Sequence, residues 1–344
     1  MSFEVGGIFI KKLLVILKKI GVFIIVNIFI GCLFSIPMVY YGPFSNVRDM
    51  LVTTAMTTFS HQYIATAFLS DKAINEIMEN NKVHDENKYS DDSAIDVING
   101  GDHEDNKPGQ SEQQRDAKDG IELKDLSNGK YKAYMLIVSN PKRVSVASSD
   151  KLGKAGTKLS EIVKDYNAVG GINAGGFADD GGHGSGGTPT GFLIEDGKVL
   201  YGNEKQRLPL IGFNEDSVLV LGNYTLKEAK EKKMRDAVNF GPFLIVNGEP
   251  TIKGGNGGGG LQPRTAIGQR KDGAVLMLVI DGRRIDSVGA TLKEVVDIMM
   301  EHGAYNAANL DGGSSATMFY SDQLINKPST PAGQRFLPSA FIIK

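Results

Sequence analysis

From residue 20 to residue 47 the chain carries no charged side chain, and positions 20–41 are mostly Ile, Val, Phe and Leu. A run of that length is long enough to cross a bilayer as a helix. A surface helix of a globular domain would instead show a polar face every third or fourth residue. Asn27 and Pro37 within the run are tolerable, because neighbouring groups satisfy the backbone. Lys11, Lys12, Lys18 and Lys19 precede it, and only Arg48 follows closely, which by the positive-inside rule keeps the N-terminus in the cytoplasm. The run is long for a secretory signal, and no A-x-A-like site follows it. The expectation is a cytoplasmic segment 1–19, a single-pass transmembrane signal anchor 20–41 in the cell membrane, and an extracellular C-terminal domain.

Residues 42–79 form the next unit, a stalk or membrane-surface helical segment. Within it, residues 50–68 are apolar, rich in threonine and uncharged. Three placements remain open: a helix on the outer membrane surface, a stalk helix packed on the main domain, or a second span. The third would return the C-terminal domain to the cytoplasm. Between Asp71 and Asp119 there are 14 acidic and 6 basic side chains. Residues 80–120 have few apolar side chains and no period, so they bury too little surface to offset the entropy of ordering. They are expected to be a disordered acidic linker, with a short helix before it at 73–78.

Composition excludes several functions. A net charge of −2 over 344 residues leaves no footprint for nucleic acid. Cys32 is the only cysteine, so neither an intramolecular disulfide nor a CxxC metal site is possible. The five histidines are scattered without an HExxH pattern, which argues against a histidine-built zinc centre. No metal and no cofactor is expected.

Residues 121–344 are expected to form one domain of α+β class, a mixed, largely antiparallel sheet with embedded βαβ crossovers. Asp196-Gly197 between two β-like runs is a hairpin signal. Thr225-Leu-Lys-Glu228 and Thr291-Leu-Lys-Glu294 are capping boxes, the first opening a charged helix to about Ala237. Residues 274–280 are a continuous apolar run, as in a strand buried on both faces, and they end at Asp281. Leu292, Val295, Val296, Met299 and Met300 then share a helical face, Gly303 stops the helix, and a last strand ends at Asp311. A strand–helix–strand unit of this length favours a parallel crossover, which puts Asp281 and Asp311 on one rim. Two stretches fit GxGxxG, at 182–187 and 255–260, but neither joins a strand to a helix, so a dinucleotide site is not inferred. His183, in the first, reads as a loop residue rather than a base.

The stretch AANLDGGSSATMFY (307–320) carries the chemistry. Glycines after an acid at a strand end allow positive φ and close approach to a ligand, and successive amides can cradle an anion. GGINAGGF (170–177) echoes it, with Asn173 before Gly175-Gly176, which suggests that both turns line one pocket.

GGINAGGF (170–177), GGTPTGFLIEDGKV (186–199), FGPFLIVNG (240–248), PRTAIGQ (263–269), LVIDGR (278–283) and NLDGGSSATMF (309–319) occur in that order. Together they resemble the phosphodiester glycosidase family over roughly 130–344. Where the family commonly shows NGGFF and LDGGGSS, this chain has Asn173-Ala-Gly-Gly-Phe177 and one glycine fewer after Asp311. The resemblance implies hydrolysis of a sugar-1-phosphodiester or phosphoglycan in a cell-envelope or exopolysaccharide polymer. The alternative is a non-catalytic anionic-glycan binder that scaffolds polysaccharide assembly. Such a substrate calls for carboxylates around the anomeric carbon and cationic or amide donors for the phosphate. Asp311 and Asp281 are the expected carboxylate pair, with Asn173 beside them. Arg264 is the first candidate for the phosphate and Arg283 the second. Asn309, Gly175, Gly176, Gly312, Gly313 and Ser314 complete the expected site.

Overall fold

A computed structural model describes residues 2–58, 61–83, 88–97, 120–179, 184–203 and 205–344. Helix α1 (Ser2–Tyr41) contains the apolar run, and its stretch Lys12–Tyr41 is long and apolar enough to cross a membrane. Apart from its end at Tyr40, that stretch is left uncovered by the rest of the described chain: Phe34 is 71% exposed and Phe23 68%. Helices α2 (Ser45–Met56), α3 (Tyr63–Thr66) and α4 (Asp71–Asn80) follow and pack on one another through Val52, Ala55, Ala65, Ile74 and Ile77. Ser70 caps α4 by accepting from the Ala73 amide.

Three sheets build the main domain. The first has seven strands in the order β1 (Ile121–Asp125), β2 (Ala133–Val138), β14 (Val275–Ile280), β13 (Arg264–Arg270), β15 (Ala304–Leu310), β11 (Phe243–Val246) and β12 (Glu249–Pro250). The second has five: β7 (Lys198–Tyr201), β6 (Leu193–Glu195), β10 (Met234–Asn239), β8 (Leu208–Asn214) and β9 (Leu219–Tyr224). The third also has five: β17 (Gln323–Leu324), β16 (Met318–Tyr320), β5 (Gly170–Asn173), β19 (Ser339–Ile343) and β3 (Val144–Ser148). A small ladder joins β18 (Phe336–Leu337) to β4 (Thr157–Lys158), and α5 (Leu159–Asp165) follows β4. Each neighbouring pair of described strands runs antiparallel. The fold is α+β, with a mostly antiparallel core.

The expected crossover is present in split form. Both β14 and β15 pair antiparallel with β13, so they run parallel to each other with β13 between them. The connecting helix α7 (Leu292–Glu301) opens on the Thr291–Glu294 capping box and ends before Gly303, whose φ is +81°. Arg264 faces Ile280 in the register, and Thr265 faces Leu310, so Asp281 and Asp311 leave the sheet on one rim.

The apolar run at β14 lacks alternation because both of its faces are buried. Val275, Met277 and Val279 point into the core shared with Ile172, Phe213 and Phe341 of the other sheets. Leu276, Leu278 and Ile280 pack on Val295, Val296 and Met299 of α7. The Asp196-Gly197 hairpin forms between β6 and β7, both turn residues having positive φ.

Two expectations change. The helix opened by Thr225, α6 (Leu226–Glu231), stops well before Ala237. Residues from Met234 instead form β10, paired with both β6 and β8, and burial in the sheet outweighs helical propensity there. Part of the acidic stretch is also docked on the domain. The Ser90 amide donates to Leu221 O, Asp91 N to Asn247 Oδ1 and Asp96 N to Lys271 O. Residues 84–87 and 98–119 of the expected linker, and His183, lie outside the described residues.

Candidate active site

Asp311 follows the last residue of β15, and the chain then turns through a 3-10 segment, Gly313–Ser315. Gly313 supplies the turn with φ +56°, and its amide donates to Pro263 O at 2.9 Å. The Asp311 amide donates to Ala174 O at 3.1 Å, joining this turn to the one after β5. Asn173 locks the pair from beneath. Its Nδ2 donates to Asp311 O at 2.5 Å, while its Oδ1 accepts from Thr265 Oγ1 at 2.8 Å and Thr317 N at 3.0 Å. Asn173 is fully buried, does not line the cleft and holds the Asp311 backbone.

The half-buried Asp311 lines a cleft of about 790 Å³ with Asp179, Arg283, Ser314 and Arg335. Burial pushes the Asp311 carboxyl up to about 6, and the charge of Asp179 adds to the rise. The Ser315 hydroxyl, Arg335 and the Gly312 amide pull in the other direction. Arg335 is placed by three contacts. Nη1 donates to Ser314 Oγ at 3.1 Å, Nη2 lies 3.0 Å from Asp179 Oδ1, and the guanidinium sits 5.3 Å from the centre of the Phe177 ring. Nη2 is buried in that ion pair with Asp179. A guanidinium at a cleft wall favours an anionic ligand, and the ion pair with Asp179 offsets part of its charge. On the opposite side, Arg283 has φ +59° and its Nε donates to Gln262 Oε1 at 2.8 Å.

Helix α2 and the residues after it form the remaining wall, through Thr54, Thr57, Thr58 and His61. Their hold on the domain runs through the glycine-rich loop before β13. Leu261 N donates to Thr54 Oγ1 at 2.9 Å, Gln262 Nε2 to Thr57 Oγ1 at 3.2 Å and Asn256 Nδ2 to Thr53 Oγ1 at 2.9 Å. Gly260, at φ +53°, lies so close to the helix that a Cβ there would sit 2.3 Å from Thr54 N. Of the three placements open for residues 50–68, the described residues therefore adopt the stalk helix packed on the main domain. Among the described residues no group of three or more His, Cys, Asp or Glu side chains converges as a metal site.

A family model described as phosphodiester glycosidase matches residues 166–344, more than half of the chain. The chain belongs to the phosphodiester glycosidase family. It is 29% identical over 178 residues to the SPbeta prophage-derived uncharacterized protein YomE of Bacillus subtilis (strain 168), covering 49% of this chain and 27% of that one. It is 35% identical over 69 residues to the bovine N-acetylglucosamine-1-phosphodiester alpha-N-acetylglucosaminidase, which is 20% of this chain and 13% of the relative. The chain thus spans about a quarter of the first curated relative and about an eighth of the second. The catalytic domain of the zebrafish enzyme of that name, described as auto-inhibited by its pro-peptide, superposes with a TM-score of 0.53. The overlap covers 65% of this chain and 81% of that domain at 23% identity, so the shared feature is the fold.

Within this member of the family the expected site residues divide into two groups. Asp311, Gly312, Gly313, Ser314 and Arg283 line the cleft. Asp281 does not join them, although it stands on the same rim. Its carboxylate accepts from Asn326 Nδ2 at 2.8 Å, from Lys327 N and from Arg284 Nη1 at 3.1 Å, so it fastens two loops together. Burial raises its pKa, against those donors. The second carboxylate at the cleft is Asp179. Arg264 is also turned away: Nε donates to Ala290 O at 3.0 Å, and Nη2 to Gly259 O at 3.0 Å and Gly260 O at 2.7 Å. Burial, and after it the charge of Arg283, lowers the Arg264 pKa to about 10. Arg264 thereby holds the loop on which α2 rests.

Asn309 donates from Nδ2 to Gly241 O at 2.8 Å and does not line the cleft. Gly175 and Gly176 serve packing, since a Cβ would lie 2.9 Å from Val238 Cβ or 2.8 Å from the Phe240 ring. The expected amide cradle is partly closed, because the Gly313 and Ser315 amides are engaged by Pro263 O and Gly312 O. Cationic side chains face the cleft instead. Arg335 and Asp179 had no motif to mark them beyond the position of Asp179 two residues after GGINAGGF. The paired threonines at 53–54 and 57–58, one helical turn apart, were a legible signal for a polar helix face.

Proposed function

We propose that this protein hydrolyses the bond between the anomeric carbon and the phosphate oxygen of a sugar-1-phosphodiester, outside the cytoplasm and tethered by α1. The observation that carries this reading is the convergence of the Asp311 carboxyl with the guanidinium groups of Arg283 and Arg335 in one cleft. A phosphodiester brings one negative charge, and the planar forks of Arg335 and Arg283 match its non-bridging oxygens. Asp311, beside them, addresses the anomeric carbon. It either takes a proton from the attacking water or adds to the carbon itself. The carbon–oxygen bond breaks with its electron pair leaving on the phosphate; where Asp311 has added to the carbon, water then hydrolyses the glycosyl ester, so either way the products are free sugar and a phosphomonoester. Phosphate leaves readily without a strong acid, so the ionised form of Asp311 is the working one in either role. N-acetylglucosamine-1-phosphodiesters lead the panel of substrates, given the bovine relative. The polymer that supplies the substrate is a cell-envelope or exopolysaccharide glycan.

The test is product analysis with the purified full chain in detergent on a panel of sugar-1-phosphodiesters. Free sugar and phosphomonoester are expected in equal amounts, and Asp311→Asn should lower the rate of both roughly 10²–10⁴-fold. Sugar-1-phosphate as the product would place cleavage on the other side of phosphorus and defeat the proposal. Tight phosphoglycan binding without any turnover would favour the non-catalytic scaffold instead.

A further inference from the structure

The segment between the apolar helix and the main domain has two kinds of exposed surface. One is polar and belongs to the cleft: Thr54, Thr57, Thr58 and His61. These residues lie outside the stretch matched by the family, so this wall is a feature of this chain's own N-terminal part. The other is apolar and aromatic. Phe44 is 50% exposed, Val47 53% and Tyr63 63%, and Phe68 is exposed with them. None of the four lines the cleft.

Both surfaces are fixed to the end of α1. Tyr40 stacks on Phe68 with 4.7 Å between ring centroids, its hydroxyl donates to Ile64 O, and the Tyr41 hydroxyl donates to Phe68 O. Only Gly42, Pro43 and Phe44 separate α1 from α2. The 12 residues of α2 rise roughly 18 Å, so the cleft wall stands within about 20 Å of the point where α1 ends. Exposed aromatic side chains beside the end of a membrane-crossing helix are what the headgroup layer favours. On the reading of α1 as an anchor, the apolar patch continues the membrane contact and the cleft opens next to it.

We propose that the cleft lies at the bilayer surface and that its substrate is a lipid-borne sugar-1-phosphodiester, with the phosphate esterified to an alcohol embedded in that leaflet. This deepens the proposed function and rests on it. The head group enters between the α2 wall and the Asp311–Arg335 side. The hydrocarbon stays in the membrane beside Phe44 and Tyr63. Confinement of enzyme and substrate to one surface raises the effective concentration of the head group, without any contact beyond those of the cleft.

The test uses the full chain reconstituted in phosphatidylcholine vesicles. The sugar that the panel selects is presented as a dialkyl-lipid phosphodiester in the same vesicles and as a soluble methyl phosphodiester. Phe44→Ser combined with Tyr63→Ser should lower kcat/KM for the lipid diester at least tenfold and leave the soluble diester within twofold. Equal effects on the two, or none on either, would overturn the lipid assignment. Turnover of neither by the unmodified chain would refute the enzymatic reading, and the substrate assigned here with it. A second measurement does not depend on turnover. On a Cys32→Ser background, a fluorophore at Thr66→Cys should be quenched by a headgroup-borne quencher, and one at Asp272→Cys should not. Asp272 sits in the turn between β13 and β14, at the end of those strands opposite the rim. Equal quenching at the two positions would remove the cleft from the surface.

Discussion

At Asp311 the surroundings oppose ionisation, and that opposition has two measurable consequences. The first concerns rate. Because the ionised carboxylate does the work, kcat/KM should rise with pH through about 6 and level off above it. Asp311→Asn should lose that limb and roughly 10²–10⁴-fold in kcat, seen in a pH–rate profile. The second concerns stability. A carboxyl whose folded pKa is about 6, against an ordinary 3.8, binds its proton more tightly when folded. Stability therefore falls as pH rises between those two values, and the penalty is fully present above 6. Asp311→Asn should raise unfolding stability at pH 7.5 by roughly 1–3 kcal/mol, with the gain vanishing below about pH 4. The two arginines should separate in the same assays. Arg335→Lys keeps a charge and loses the fork, so KM should rise about ten- to a hundredfold with the melting temperature nearly unchanged. Arg264→Ala removes three hydrogen bonds to backbone carbonyls, leaves Gly260 O without a donor and should cost about 2–4 kcal/mol of stability.

The elements around the site differ in how far local sequence fixes them. Helix α7 is announced by its capping box and its apolar spacing, and Thr291→Ala should cost about 1 kcal/mol in denaturant unfolding. Strand β14 is announced by its unbroken apolar run, since both of its faces are covered. The end of α6 was not announced, because nothing local says that residues from Met234 will be claimed by two neighbouring strands. The contact between α2 and the glycine loop is of the same kind. Gly260→Ala puts a Cβ against the helix backbone at a φ of +53°, so the helix must move. Limited proteolysis of this variant should cut the α2–α4 segment sooner than in the unaltered chain, while the β-domain still melts cooperatively.

For the molecule as a whole, the cleft depends on parts far apart in the chain: α2 near one end, the Asp311 turn and Arg335 near the other. A fragment 120–344 lacks the α2 wall, and its KM for a soluble diester should exceed that of the full chain at least tenfold while kcat, set by Asp311, changes less. By itself the sequence determined the apolar helix, the α+β class, the crossover ending at Asp281 and Asp311, and the glycine turn that presents Asp311. Each of these follows from periodicity, capping or chain stiffness within about thirty residues. Only the tertiary structure decided which charged groups face the cleft. Asp281 and Arg264 have the expected positions, yet partners from other segments take up their polar atoms: Asn326 for one, and Gly259, Gly260 and Ala290 for the other. Arg335 and Asp179, in stretches without a motif, meet across 156 residues of chain. A side chain's direction is set by the donors and acceptors that burial forces it to satisfy, and those come from residues distant in sequence.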